Sequence, residues 1–440
     1  MDKARSVHPA TLHKSLGLSE AIALGVGGTI GGGVFVLIGI AAGQAGPGVI
    51  LSFILAFTAS VLVALCYAEL AARLPKAGGG YAFAREALGN HAGFLMGWGY
   101  WGSYLAASGY VTLGFGAYLH ALTGISQSIG AIGLILLMVI PNLLGAQISG
   151  RIQRFIVILE VGTLLLLVAI GIPHTQGYLY YPLFPQGVFG VFTAAVSAFL
   201  AFGGFDMIAA AGEEIKDPVR NIPRAIFGSL IIVLILYVSV LAVAVGIVPW
   251  YRLGTLDAPL AVVSQRILGD FGPTFVNSAA LIATAATTNA VLMVMSRIAF
   301  AMARDRLLPR VFATIHPQWN TPVVAIGLSA SLMIGLAATG SVTLAASAAG
   351  FLYILHFIYD LIALFVFRFR DSKNLNNDEI RFRVPGYPVV PIITLIIITA
   401  LIFTITQDGL IIGAIWLVTG VIYRIILVIY QNQNPNRSKA

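Results

Sequence analysis

Apolar runs of about 20 residues, the length that crosses a bilayer, divide this chain from end to end. They cover residues 18 to 43, 48 to 72, 90 to 122, 126 to 145, 153 to 173, 187 to 213, 223 to 249, 273 to 303, 322 to 339, 343 to 368, 387 to 406 and 409 to 431. Backbone in lipid has to satisfy its own hydrogen bonds, so runs of this length are read as helices. Only 10% of the 440 residues are charged and 58% are hydrophobic, against roughly 25% charged in soluble domains. The expected fold class is an all-α polytopic membrane protein with twelve transmembrane helices.

The formal net charge of +8 is a topology signal rather than a sign of an acidic partner. All of the 25 Lys and Arg residues except Arg252 and Arg266 precede the first run, end or follow an even-numbered run, open the odd-numbered run after it, or lie at the end of the chain. The positive-inside rule then puts both termini and every even-to-odd loop in the cytoplasm. This predicts a multi-pass protein of the plasma (inner) membrane with no nucleic acid partner. Met1-Asp2-Lys3-Ala4-Arg5 leads into an apolar run rich in Gly, so no removable signal peptide is expected. The lone Cys66 cannot form an intrachain disulfide.

The first run holds six glycines in Gly25-Val26-Gly27-Gly28-Thr29-Ile30-Gly31-Gly32-Gly33-Val34-Phe35. Each Gly weakens a helix by about 1 kcal/mol relative to Ala, so the cluster predicts backbone that leaves the helix. At membrane depth such backbone is tolerated only inside protein or beside an aqueous cavity. The sixth run has a second interruption, Ala198-Phe199-Leu200-Ala201-Phe202-Gly203-Gly204-Phe205-Asp206. Paired breaks in two halves of a chain point to a transporter built from inverted repeats. The expected organisation is a cytoplasmic segment over 1–17, a first repeat over 18–173, a second over 187–368, two further helices over 387–431 and a cytoplasmic tail over 432–440. Gly89, Gly93 and Gly97, four residues apart, need only close helix packing. The glycines of the first run fit neither G-x-G-x-x-G nor the Walker pattern, which argues against nucleotide binding.

At these residues the chain resembles the amino acid, polyamine and organocation (APC) transporter superfamily, whose members have the leucine-transporter fold. The resemblance is carried by Gly31-Gly32-Gly33-Val34-Phe35, by Tyr67-Ala68-Glu69-Leu70 through Gly78-Gly79-Gly80-Tyr81, by Glu213-Glu214-Ile215-Lys216-Asp217-Pro218 with Asn221-Ile222-Pro223-Arg224-Ala225-Ile226, and by Ser296-Arg297 to Ala301-Met302-Ala303-Arg304-Asp305. It covers nearly the whole chain. The half-helix beginning near Gly31 would then aim free N–H groups and a positive dipole end at a substrate carboxylate. Carried over by position, the resemblance assigns the carboxylate to the amides of Gly32 and Gly33, and the ammonium to the carbonyls of Thr29, Leu200, Ala201 and Gly203. Ile30, Gly31, Phe202 and Asp206 complete the substrate site it implies.

Two departures stand out. Many relatives place an aromatic gate where Leu200 stands, so Phe199 or Phe202 is expected to take that role, with Leu200 as gate or plain packing residue. In the fifth run, Glu160 occupies the neighbourhood in which several sodium-independent relatives carry a lysine. Acids at bilayer depth tend to face the bundle interior and carry function. Glu160 is therefore the leading coupling residue, either as a proton carrier or as a sodium ligand together with Thr287 and Thr288. The alternative is a structural pair with Arg151 or Arg154. Asp206 is read first as a hydrogen-bonding partner for the broken backbone. Asp360, near His356, is read as structural, while Glu69, Glu213 and Glu214 are read as an inner gate or loop anchor. His120 and His174 look extracellular and are not offered as metal ligands.

No H-E-x-x-H, Cys pair or G-x-S-x-G elbow occurs, which argues against an enzyme. Paired broken helices fit alternating access better than a channel. The expected function is secondary active import of amino acids, neutral ones first, driven by a proton gradient. A cationic amino acid or amine carrier, a sodium symporter and an exchanger are the alternatives. No cofactor, and no metal other than a possible sodium ion, is expected.

Overall fold

The computed structural model describes residues 12–256, 258–340, 342–373 and 382–433. Among these, the α-helices are α1 (Leu18–Ala45), α2 (Val49–Arg73), α3 (Gly80–Leu88), α4 (Asn90–Thr123), α5 (Gln127–Leu144), α6 (Ala146–Gly171), α7 (Gly187–Ala201), α8 (Met207–Ala210), α9 (Pro218–Ile247), α10 (Trp250–Leu253), α11 (Pro259–Leu268), α12 (Phe271–Arg304), α13 (Val323–Ala338), α14 (Val342–Lys373), α15 (Val389–Ile402) and α16 (Gln407–Gln433). No strand forms among the described residues, and a single bridge pairs Leu16 with Ile215.

The chain is an all-helical polytopic membrane protein. By length and composition, seven described helical stretches can cross a membrane, and four shorter apolar helices accompany them. The short α3 and α11 were not anticipated from hydropathy, because each is too short or too mixed to register as a span. Two helices begin five or more residues before the apolar runs do. Pro218 opens α9 with the fixed φ that suits a first helical turn. The polar start of α6 continues the helix through Arg151 and Arg154, and Arg154 pairs with Glu20 at 2.8 Å.

Burial separates scaffold from periphery. In α12, 78% of the apolar window is buried, against 11% in α16. Ile411, Ile415, Val418, Ile422 and Ile426 of α16 are exposed, as an outer helix against lipid tails requires. Around α12 pack α1, α4, α6 and α11. Small residues permit this approach: Ala279, Ala280, Ala283, Ala286 and Ala290 are all buried, and small side chains let membrane helices come close enough for dispersion contacts.

Ion pairs tie the loops together at the end to which the charge pattern assigns the cytoplasm. Arg297 meets Glu214 through two hydrogen bonds of 2.8 and 2.9 Å, both side chains almost wholly buried. Arg304 pairs with Glu213 at 2.7 Å, Arg368 with Glu69 at 2.7 Å and Arg85 with Asp305 at 3.0 Å. Backbone amides of Ser15 and Leu16 donate to the Glu214 carbonyl, which fastens the segment before α1 to the loop after α8. Glu69, Glu213 and Glu214 thus hold loops through ion pairs, which agrees with the loop-anchor reading.

Candidate substrate site between two interrupted helices

The glycine cluster interrupts α1 at Gly31, with φ 24° and ψ −159° inside otherwise helical backbone. Only glycine adopts that backbone at little cost. In the sixth apolar run α7 stops at Ala201, residues 202–206 form turns, and α8 resumes at Met207. Both interruptions fall within the stretches read from sequence. Each break takes backbone groups out of the helical ladder, so other groups have to satisfy them.

Those groups come from four helices. In α1, Thr29 Oγ1 donates to the Gly25 carbonyl at 2.7 Å. From α12, Thr287 Oγ1 donates to the Gly27 carbonyl at 2.7 Å. From α9, the Tyr237 hydroxyl lies 3.2 Å from the Thr29 carbonyl and 3.1 Å from the Ala201 carbonyl. From α14, the Tyr353 hydroxyl accepts from the Gly204 amide at 2.9 Å. A tyrosine hydroxyl has one proton, so Tyr237 satisfies one of its two carbonyls at a time.

The breaks also touch. A Cβ placed on Gly204, where φ is 118°, would lie 2.6 Å from the Gly28 carbonyl carbon. One on Gly28 would lie 2.5 Å from Met207 Sδ. The glycines therefore serve a backbone crossing as well as a break.

Asp206 is the electrostatic centre of the second break and is fully buried. Tyr100 and Tyr104 of α4 donate to Oδ2 at 2.9 and 2.5 Å, and Tyr353 donates to Oδ1 at 2.8 Å. The Gly204 amide donates to Oδ1 at 3.2 Å. The reading of Asp206 as a partner for broken backbone agrees with this geometry, although three hydroxyls outnumber the one amide.

The remaining expected site residues divide. Thr29, Ile30, Gly31, Ala201, Phe202 and Gly203 all lie at the two breaks. Gly32 and Gly33 open the half-helix after Gly31. Phe202 is packed edge-on against Tyr237 with ring centroids 5.4 Å apart, and Phe53 and Phe57 close the same cluster. Phe199 is buried one helical turn earlier. The side chain of Leu200, the other expected gate residue, lies outside the described residues.

Glu160 is buried in α6, and neither carboxylate oxygen has a hydrogen-bond partner. The alternative pairing with Arg154 is not formed, since that guanidinium is on Glu20 and Ser19. No hydrogen bond joins Glu160 to Thr287 or Thr288. Thr287 reaches the first break, whereas Thr288 Oγ1 turns back to the Thr284 carbonyl of its own helix at 2.7 Å. No cluster of three or more metal-ligating side chains occurs among the described residues.

Several residues at the site escaped the sequence reading. Tyr100, Tyr104 and Tyr237 are buried phenols in apolar helices and Tyr353 is a half-buried one, and a search for polar atoms inside spans would have flagged them. The same search finds Asn142, Gln153 and Asn289. Asn142 Nδ2 donates to Asn289 Oδ1 at 2.8 Å, and Asn289 Nδ2 donates to Gln153 Oε1 at 2.8 Å. Gln153 Nε2 reaches the Ala23 carbonyl at 3.4 Å, so this network joins α5, α6 and α12 to the first half of α1.

Comparison with known proteins places this geometry in a family setting. The model of the family described as amino acid permease matches residues 20–433. The chain is 30% identical to the branched-chain amino acid permease of Bacillus subtilis, across 98% of this chain and 95% of that protein. It is 33% identical to the methylthioribose transporter of the same organism, across 87% of each. It is also 33% identical to the vacuolar cationic amino acid transporter 4 of Arabidopsis thaliana, across 74% of this chain and 59% of that protein.

Proposed function

The chain belongs to the amino acid permease family, and we propose that it is a secondary active transporter that imports neutral amino acids across the plasma membrane by proton-coupled alternating access. In this reading twelve spans form a five-plus-five inverted repeat followed by two helices, with both termini in the cytoplasm. Membership of this family makes the chain a transporter rather than an enzyme. Every other part of the reading is our own inference.

The observation that carries it is the Tyr237 hydroxyl lying against the carbonyls of Thr29 and Ala201. One donor is shared between acceptors from two broken helices, and an ammonium with three N–H groups can serve both. The half-helix after Gly31 opens beside them with the amides of Gly32 and Gly33, suited to a carboxylate. Opposite ends of an amino acid zwitterion are matched by backbone alone.

The choice of a neutral substrate is supported by Asp206. Its oxygens already accept from three phenols and one amide, which leaves little capacity for a second cationic group on a substrate. A relative matched over nearly its full length is named a branched-chain amino acid permease, which supports the same choice. Glu160 supports proton coupling, because a buried carboxyl group without a partner is free to take up and release a proton.

The test is uptake by purified protein in proteoliposomes. Leucine, isoleucine and valine are expected to accumulate when the outside is made acidic, and Gly32→Val is expected to abolish uptake in a folded protein. Uptake driven equally well by sodium at fixed pH, or preferred uptake of arginine, would replace coupling or substrate in turn. No uptake of any amino acid would overturn the whole reading.

A further inference from the structure

Beyond Glu160, the described residues contain a second buried carboxyl group that no hydrogen bond satisfies. Asp360, on α14, is 2% exposed, and neither Oδ1 nor Oδ2 has a partner. One turn earlier on the same helix, His356 is also 2% exposed with both ring nitrogens unpartnered. Four polar atoms without partners in one buried place are far from ordinary, because burying even one such group is costly.

Their arrangement is directional. His356 Nε2 lies 3.6 Å from Asp206 Oδ2 and 4.0 Å from Asp360 Oδ2. It stands between two carboxyl groups, just beyond hydrogen-bond distance of each. The ring is walled by Tyr100, Tyr353 and Phe357, with centroids 4.5, 4.9 and 4.0 Å away. Those walls keep it in the gap between the two acids.

The far end of the cluster faces α3. A Cβ added to Gly80 would lie 2.9 Å from Asp360 Oδ1, so the glycine leaves room for the carboxyl group. Farther along α3, Ala82 and Arg85 line a cavity of about 340 Å³ with Lys76, Glu213, Arg304 and Asp305, on the basic face. The cluster therefore extends from the broken sixth segment toward the side at which loops are paired by ions. The titratable groups packed against it are Tyr67 of α2, Tyr100 and Tyr104 of α4, Asp206 at the break and Tyr353 of α14.

We propose that His356 and Asp360, beside the Asp206 carboxylate, form a proton relay on α14, in series with Glu160, that carries the coupling proton between the substrate site and the cytoplasmic side. In the inward step a proton coming from the substrate site binds the free lone pair of His356 Nε2, giving an imidazolium 3.6 Å from the Asp206 carboxylate. The same proton then passes from Nε2 to Asp360 Oδ2, which leaves a neutral ring and a neutral acid. One nitrogen receives and returns the proton, so Nδ1 keeps its own hydrogen throughout. Tyr100, Tyr104 and Tyr353 donate to the Asp206 carboxylate and hold it in place beside the ring. Glu160 sits on α6, which packs on α1, α9 and α12, whereas α14 packs on α3, α4 and α16. The two acids thus approach the site from different parts of the bundle.

The inference rests on the proton-coupled reading above, and its test separates the two. Wild-type protein, Asp360→Asn and His356→Gln are reconstituted with a pH-sensitive dye inside the vesicles. Leucine counterflow without a pH gradient and leucine accumulation driven by one are both followed. Both variants are expected to keep counterflow, while gradient-driven accumulation and the dye signal fall at least about tenfold, as befits loss of a positioned proton-transfer group. Wild-type proton flux in both variants overturns the relay and leaves proton coupling standing. Leucine accumulation by the wild type without proton movement overturns both. Loss of counterflow in both variants also overturns the relay, because it assigns the cluster to substrate binding or to folding.

Discussion

Gly28 and Gly204 meet backbone to backbone: a Cβ on Gly204 would come within 2.6 Å of the Gly28 carbonyl carbon. This contact brings the two interruptions together, and it explains why glycine stands at position 28 in a helix that would be more stable with alanine. Pro or Leu elsewhere can break or fill a helix. Only a residue without a side chain permits this crossing.

Gly204→Ala is accordingly expected to destabilise the protein. The positive φ costs on the order of 1–3 kcal/mol, and overpacking against rigid backbone adds about 1–3 kcal/mol. The melting temperature in detergent should fall clearly, with uptake lost. An unchanged melting temperature would show that the breaks do not cross so closely.

Tyr237→Phe removes the donor shared by the Thr29 and Ala201 carbonyls. The empty protein is expected to lose about 1–3 kcal/mol, the cost of leaving a buried acceptor unsatisfied. Saturating leucine should narrow that deficit, since the substrate ammonium supplies the missing donors. Melting curves with and without leucine decide the matter: an equal deficit in both would show that Tyr237 and substrate do not share the carbonyls.

Glu160→Gln keeps the size of the side chain and removes its ability to titrate. Wild-type uptake is expected to fall as external pH rises, because fewer protons are available to load the carrier. The variant should show uptake independent of pH. If its pH profile matches that of the wild type, Glu160 is not the proton carrier.

Glu214→Gln tests the inner face. Arg297 is wholly buried against Glu214, and removing one partner of a buried pair costs about 3–5 kcal/mol. The variant is expected to melt much earlier than the wild type, and Glu214→Leu combined with Arg297→Met should recover part of the loss. A single variant as stable as the wild type would mean that water reaches the guanidinium and the pair is not sealed.

The buried acids show how far sequence reading extends. Glu160, Asp206 and Asp360 were visible as charges inside apolar runs, and the cost of charge in lipid marked each as an interior residue. What each acid meets was not visible. Asp206 is surrounded by hydroxyls from α4 and α14, whose residues lie roughly 100 to 150 positions away in the chain. Glu160 could equally have faced Arg154 one and a half turns away, until the structure placed that arginine on Glu20.

Hydrophobic run length, the distribution of Lys and Arg, and the clustering of glycine determined by themselves that this chain is a polytopic helical membrane protein with breaks in its first and sixth apolar runs. These are local quantities: lipid solvates one helix at a time, and helix propensity acts within a turn or two. The tertiary structure alone decided that Gly28 and Gly204 touch, that Tyr237 bridges two carbonyls, and that His356 stands between two acids. Each of these depends on which helix faces which, and in a uniformly apolar chain that is set by close packing and buried polar partners rather than by hydropathy. The six glycines announce a break, and only the crossing of the two segments turns that break into a site.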